Sequence, residues 1–192
     1  MTRICLVRHG ETDWNVLGKL QGRTDVELNS NGVEQAKDCG RFLAATTWNL
    51  IITSPLQRAK KTAEIIQTYI DVPLIEMQNF VERSYGDGEG MSPEERLLAF
   101  PDNQYSNAED RASLTNRVMA GITKINDEYE GGNVILVAHG AVINSILASI
   151  SNGSIGSGKT QLHNACISEL EFDKGQWHIK NFNKVDHFTT VA

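Results

Sequence analysis

Arg8 and His9 stand side by side where an apolar run, Ile4 to Val7, meets a glycine. A guanidinium presents a planar fork of donors that matches phosphate oxygens, and a neutral imidazole can attack phosphorus. The same residue types recur further on. Leu50-Ile51-Ile52-Thr53 is followed by Ser54-Pro55 and then Arg58, and the run Asn133 to Ala138 ends in His139-Gly140. Arg58 falls in the early turns of the helix expected after Pro55, where a cation opposes the helix dipole by roughly 0.3–1 kcal/mol. Such a position calls for an anion beside it. Glu82, with the glycine-rich acidic stretch Arg83 to Gly90 behind it, offers a carboxyl that can protonate a departing oxygen.

The elements that must position these groups follow from periodicity. The apolar run into Arg8 is a strand, and residues 10–28 form a polar loop too long for a simple connection. A helix is expected over 30–44, with Asn29, Ser30 and Asn31 as cap candidates. After the strand 50–53, Ser54 and Pro55 serve as N-cap and first residue of the next helix. Residues 72–82 read as a short strand segment ending at Glu82. A brief helix starts at Ser92-Pro93 and stops near Phe100, residues 101–110 are irregular, and a longer helix spans 112–130. The continuous apolarity of Val134 to Ala138 marks a strand buried on both faces. A helix over 141–150, a Gly/Ser-rich loop over 151–160 and strands near 165–172 and 176–182 complete the chain. Alternation of strand and helix predicts an α/β fold with a mainly parallel sheet and a late hairpin at one edge. In such a sheet the carboxyl ends of the parallel strands share one edge, where ligands bind. Arg8, His9, Arg58, Glu82 and His139 are therefore expected to converge on one pocket that cages a phosphoryl group.

Composition narrows the partners. The 192-residue length favours one domain, and 40% hydrophobic with 22% charged residues suits a soluble globular chain. A net charge of −6 argues against general nucleic-acid binding. There is no signal-peptide pattern and no apolar run long enough to span a bilayer. Cys5, Cys39 and Cys166 are odd in number and widely spaced, so buried free thiols and a cytoplasmic location are expected. Oligomeric state is unreadable, with a homodimer left open.

One stretch points elsewhere. Gly153-Ser154-Ile155-Gly156-Ser157-Gly158-Lys159-Thr160 fits G-x-x-x-x-G-K-[ST], the phosphate loop of nucleotide-binding proteins. That loop must follow a strand and open a helix, whereas here a helix precedes and a strand follows. The stretch is read as a flexible surface loop, and a P-loop nucleotide binder as the remote rival. A binding module that merely recognises phosphoryl groups is disfavoured because both nucleophile and proton donor are present.

The run Leu6-Val7-Arg8-His9-Gly10-Glu11-Thr12-x-Trp14-Asn15 resembles the signature of the histidine phosphatase superfamily, which includes the cofactor-dependent phosphoglycerate mutases. Ser54-Pro55-Leu56-x-Arg58-Ala59-x-x-Thr62-Ala63, Glu82-Arg83-x-Tyr85-Gly86-x-x-Glu89-Gly90 and Val137-Ala138-His139-Gly140 match later family motifs in order. The resemblance implies a three-layer α/β/α sandwich over 1–192, with a lid at about 83–113. It implies His9 as the phosphorylated nucleophile, Arg8, Arg58 and His139 as holders of the phosphoryl group, and Glu82 as proton donor. Asn15 and Gln21 fall where the family contacts phosphate from the first loop, and Gly140 is grouped with them. No metal and no cofactor are called for, and the expected substrate is a small phosphorylated metabolite. The choice within the family is between a phosphatase and a mutase. Glu82 to Gly86 looks like the mutase loop, while Glu89-Gly90 looks like the phosphatase branch. The mutases carry a longer insertion before the second histidine, with basic residues that grip the substrate carboxylate; here the stretch is short and holds Arg96 and Arg111 without a paired cluster. A phosphatase of broad specificity is expected, with a mutase as the alternative.

Overall fold

Alternation along β1 (Thr2–Arg8) decides which helices cover each side of the sheet in the computed structural model, which describes residues 1–189. Ile4 and Leu6 point into a core completed by α5 (Arg111–Glu128) and α6 (Gly140–Ile150). Cys5 and Val7 point the other way, onto α2 (Ser30–Leu43) and α3 (Gln57–Gln67). The same division holds along β4 (Asn133–Ala138), where Val134 and Leu136 face one core and Ile135 and Val137 the other. Period-two side-chain direction thus converts one apolar run into two helix-binding faces.

β4 lies between β1 and β2 (Leu50–Thr53), and β3 (Leu74–Glu76) extends the parallel set beyond β2. β5 (Ile167–Asp173) and β6 (Gln176–Lys184) add an antiparallel hairpin on the far side, giving the order β3-β2-β4-β1-β5-β6. This is the three-layer α/β/α arrangement with a mainly parallel mixed sheet. Register places the site: Arg8 pairs with Ala138, and Thr53 with Val137. The residues that come next, His9, Ser54 and His139, leave the sheet together at its carboxyl edge.

Three local expectations are corrected. The first loop is not uniformly irregular, because Thr12 caps a short helix α1 (Asp13–Val16) in a capping box with Asn15. The helix after β2 begins two residues later than expected, with Leu56 rather than Ser54 at its cap and Pro55 outside it. The Ser54 Oγ still accepts Leu56 N–H at 3.3 Å and also lies 2.7 Å from His139 Nε2, but Leu56 stays extended at ψ 135°, so the helix starts only after it. The strand expected over 72–82 stops at Glu76, and a 3-10 turn over Gln78–Phe80 follows. Glu82 therefore sits in extended chain beyond that turn, held by Arg117 of α5, whose guanidinium donates to the carbonyls of Asn79, Val81 and Glu82.

Residues 83–113 lead from Glu82 into α5. They contain α4 (Pro93–Ala99) and are tied together by Asp87 N–H to Ser106 O at 3.0 Å and Glu109 N–H to Ser84 O at 2.9 Å. Gly86 takes φ +52°, and a Cβ there would sit 2.0 Å from Ser106 O, so the crossing of these two chain segments requires glycine. Among the described residues no helix is long and apolar enough to cross a membrane. Cys5, Cys39 and Cys166 are free and buried. Residues 190–192 of the expected 1–192 span lie outside the described residues.

Candidate active site

A cavity of about 570 Å³ opens at the carboxyl edge of the parallel strands, and Arg8, His9, Asn15, Gln21, Arg58, Glu82 and Gly140 all line it. His139 is fully buried and stands behind the wall, its ring centroid 5.3 Å from that of His9.

His9 leaves β1 with its N–H on Ala138 O at 2.9 Å and its carbonyl accepting Ala165 N–H at 3.1 Å. With the backbone fixed on both sides, the ring has one hydrogen-bond partner among the described residues: Nδ1 lies 2.7 Å from Gly10 O. A carbonyl can only accept, so Nδ1 carries the proton and Nε2 is left with its lone pair. Burial, then Arg58 and Arg8, hold the His9 pKa well below the ordinary imidazole value. The ring is a neutral base near pH 7.

His139 is tuned the same way by burial, Arg58, His9 and Arg8. Its Nε2 meets Ser54 Oγ, which already accepts Leu56 N–H at 3.3 Å. The Ser54 hydroxyl fixes the ring by its Nε2, while Nδ1 is buried with no partner among the described residues. These two buried histidines, with His187, predict a pH dependence of stability. All three have pKa values lowered by burial, so below about pH 6.5 the unfolded chain takes up protons that the folded chain refuses. Stability is expected to fall as pH drops from 7 towards 5, each such group adding up to about 1.4 kcal/mol per pH unit. Urea unfolding at stepped pH checks this; a free energy that is flat or rises on acidification in that window contradicts it.

Arg58 is 1% exposed and is among the largest fully buried side chains. Nη1 donates to Thr24 O at 3.0 Å and Nη2 to Gly22 O at 2.7 Å, while Nε has no partner. Neither Arg58 nor Arg8 forms an ion pair among the described residues, and Arg8 donates through Nη1 to Leu162 O and also leaves Nε unpartnered. Burial works against the charged form of both guanidinium groups. Two desolvated cations with carbonyls as their polar partners leave an electrostatic deficit that an anion between them would fill.

The helix α6 contributes its N-terminus. Gly140 packs against Arg8, where a Cβ would lie 3.6 Å from Nε, and Ala141 N–H donates to Glu82 Oε2 at 3.1 Å. Glu82 Oε1 accepts Arg83 N–H at 2.8 Å, so the carboxylate is fixed at both oxygens and only 7% exposed. The neighbouring Glu89 is committed elsewhere, taking the N–H groups of Arg23, Thr24 and Tyr85 at 3.0 Å each. Asn15 Oδ1 accepts from Thr12 and from Asn164 Nδ2, which turns its amide nitrogen outward from that cluster. Gln21 is 8% exposed with Oε1 3.0 Å from Thr12 Oγ1.

Some supporting residues carried no signal in the sequence. Asn164 donates to the carbonyls of His9 and Gly10 as well as to Asn15, and Arg117 clamps the chain before Glu82. Their roles depend on contacts with distant backbone, which no local pattern encodes. The Gly153–Thr160 stretch is a surface loop of turns, as expected, and its residues Ser157, Gly158, Lys159 and Thr160 also line the cavity. Its context is nonetheless a helix before and turns leading to β5 after, not strand then helix. Arg96, by contrast, turns away and donates to Gly18 O and Met91 O. Among the described residues no cluster of three or more His, Cys, Asp or Glu is arranged to hold a metal ion.

The profile of the histidine phosphatase superfamily (branch 1) matches residues 4–185. The uncharacterized phosphatase PhoE of Bacillus subtilis is 49% identical over 189 residues, covering 98% of each chain. A metal-independent phosphoserine phosphatase of Arabidopsis thaliana is 31% identical over 206 residues, covering 100% of this chain and 85% of that one. The structure of phosphoserine phosphatase from Entamoeba histolytica, in complex with 3-phosphoglyceric acid, superposes with a TM-score of 0.85 at 30% identity, covering 97% of this chain and 99% of that one.

Proposed function

The chain belongs to the histidine phosphatase superfamily, and from that premise we propose that it hydrolyses small phosphate monoesters through a phosphohistidine on His9, without a metal. The observation that carries this reading is the state of His9. Gly10 O holds the Nδ1 proton, the ring is neutral, and it lines one cavity with two unpaired guanidinium groups.

Nε2 of His9 attacks phosphorus in line, the bond from phosphorus to the ester oxygen breaks, and the Glu82 carboxyl gives its proton to the departing alkoxide. Arg8, Arg58 and the His139 ring stabilise charge on the equatorial oxygens, with Asn15, Gln21 and the α6 N-terminus at Gly140 as further donors. Water then attacks the phosphohistidine. Glu82 takes the water's proton, the bond from Nε2 to phosphorus breaks, and inorganic phosphate leaves. Residues 83–113 act as the lid of a single domain. Free thiols at Cys5, Cys39 and Cys166 support a reducing, cytoplasmic setting. Hydrolysis is favoured over transfer because Arg96 is turned away from the cavity and the segment before His139 is short, leaving the phosphohistidine open to water.

A panel of esters in chelator tests this. Wild-type protein is expected to release inorganic phosphate from p-nitrophenyl phosphate, glycerol 3-phosphate and 3-phosphoglycerate without forming 2-phosphoglycerate. Glu82→Gln should lose about 10²-fold or more in kcat on the alkyl esters, whose leaving groups need a proton, and far less on p-nitrophenyl phosphate. Isomer formation outpacing phosphate release would make the protein a mutase. Equal losses on both ester types would remove Glu82 as the acid.

A further inference from the structure

The glycine-rich stretch Gly153–Thr160 faces two chambers. It lines the cavity that holds His9, and it also lines a second cavity of about 450 Å³ beside it. The two share Tyr85, Ala141, Asn144, Ser157 and Lys159, so Lys159 stands where the chambers meet.

Charge distinguishes the second chamber. Arg83, Arg111 and Lys159 line it, and no carboxylate does, in a chain whose net charge is −6. Arg83 is committed: its guanidinium lies 5.1 Å from the Tyr85 ring centre and Nε donates to Glu109 O at 2.8 Å. Lys159 and Arg111 form no ion pair among the described residues, and the Lys159 ammonium meets only the carbonyl of Gly153, in its own loop. The backbone that carries Lys159 is nevertheless anchored. Thr160 N–H donates to Gly156 O at 2.8 Å, Asn144 Nδ2 reaches Thr160 O at 3.3 Å, and Gly156, at φ +141°, fits against Ala148 where a Cβ would come within 2.8 Å. A fixed loop presenting a long, rotatable cation at the mouth of an acid-free chamber suits an anion of variable distance.

We propose that Lys159, with Arg111 across the second chamber, holds a second anionic group of the substrate, so that preferred esters carry a carboxylate or a second phosphate a few bonds from the phosphoryl group being cleaved. This deepens the phosphatase reading and rests on it. The stretch that fits the P-loop pattern is then an anion-reading loop, but one that selects the substrate's other end by a side chain rather than cradling phosphate with its backbone.

The test uses matched substrates. 3-Phosphoglycerate and glycerol 3-phosphate differ only in a carboxylate against a hydroxymethyl group, and glycerol 1,3-bisphosphate supplies a second phosphate instead. The quantity read is the ratio of kcat/KM for each charged ester to that for glycerol 3-phosphate. Lys159→Met is expected to lower the ratio about tenfold for the ester whose second anion is the natural one, while Lys159→Arg keeps it within about threefold of wild type. Lys124→Met, an exposed lysine paired with Glu128 on α5, serves as the surface control. A fall confined to 3-phosphoglycerate identifies a carboxylate, and one confined to the bisphosphate identifies a phosphate. Unchanged ratios, with glycerol 3-phosphate still hydrolysed, overturn the role of Lys159 and leave the phosphatase standing. Failure of the wild type to hydrolyse any ester overturns both.

Discussion

His9→Ala is expected to abolish phosphate release from every ester the wild type hydrolyses, lowering kcat by at least about 10⁴-fold. The size follows from what is lost. Without Nε2 no covalent intermediate forms, and Arg8 and Arg58 remain as a cage with no nucleophile inside it. The fold should survive, because His9 is tied into the sheet edge by its backbone, through Ala138 O and Ala165 N, and not by its ring. Only the ring's contacts with Gly10 O and the His139 face disappear. Phosphate release measured beside a far-ultraviolet dichroism spectrum checks both halves. A folded variant retaining more than about one per cent of wild-type kcat would show that hydrolysis proceeds by direct attack of water and that His9 is not the nucleophile.

Arg58→Met should cost about 10³-fold in kcat while leaving the fold nearly as stable as before. Two opposing effects set the stability. Methionine removes the hydrogen bonds that the charged guanidinium makes to Thr24 O and Gly22 O, each worth about 1.5–3 kcal/mol. It also removes a buried, unpaired cation from the first turn of α3, where desolvation and the helix dipole both oppose the charge. The unliganded melting temperature is therefore expected to move by only a few degrees. Inorganic phosphate should raise the melting temperature of the wild type and do so far less in the variant, since only the native site gains binding energy from the anion. A variant that keeps kcat within tenfold of wild type, or that phosphate stabilises equally, would mean that Arg58 serves the packing of the first loop alone.

Arg58 also shows why much of this candidate site is legible in the sequence. A cation in the opening turn of a helix is locally unfavourable, and that conflict is visible in sequence. Arg8-His9 and His139 were legible for a related reason: each ends an apolar run that can only be a buried strand, and parallel strands end along one edge. The two-sided burial of β4 followed from its unbroken apolarity. Glu82 was found by chemistry but misplaced by pattern, because a 3-10 turn over Gln78–Phe80 interrupts what resembles a strand. Ser54 keeps its bond to Leu56 N–H but does not open the helix, and its second partner, His139, lies 85 positions away. Asn164 and Arg117 act on backbone carbonyls, and the acceptors they choose are defined only once the chain has folded. Lys159 belongs to the same class. Its motif pointed to a nucleotide site, and only the return of that loop to the mouth of the cavity gives it a different reading.

The central claim, a covalent phosphoryl group on His9, is tested most directly by stopping turnover of a labelled monoester with alkali, in which a phosphoramidate survives, and locating the label by peptide mass spectrometry. The expected result is one phosphoryl group on the peptide containing His9, labile to acid and absent from His9→Ala. A protein that turns over the ester yet carries no label under these conditions, or carries it on another residue, would contradict the mechanism.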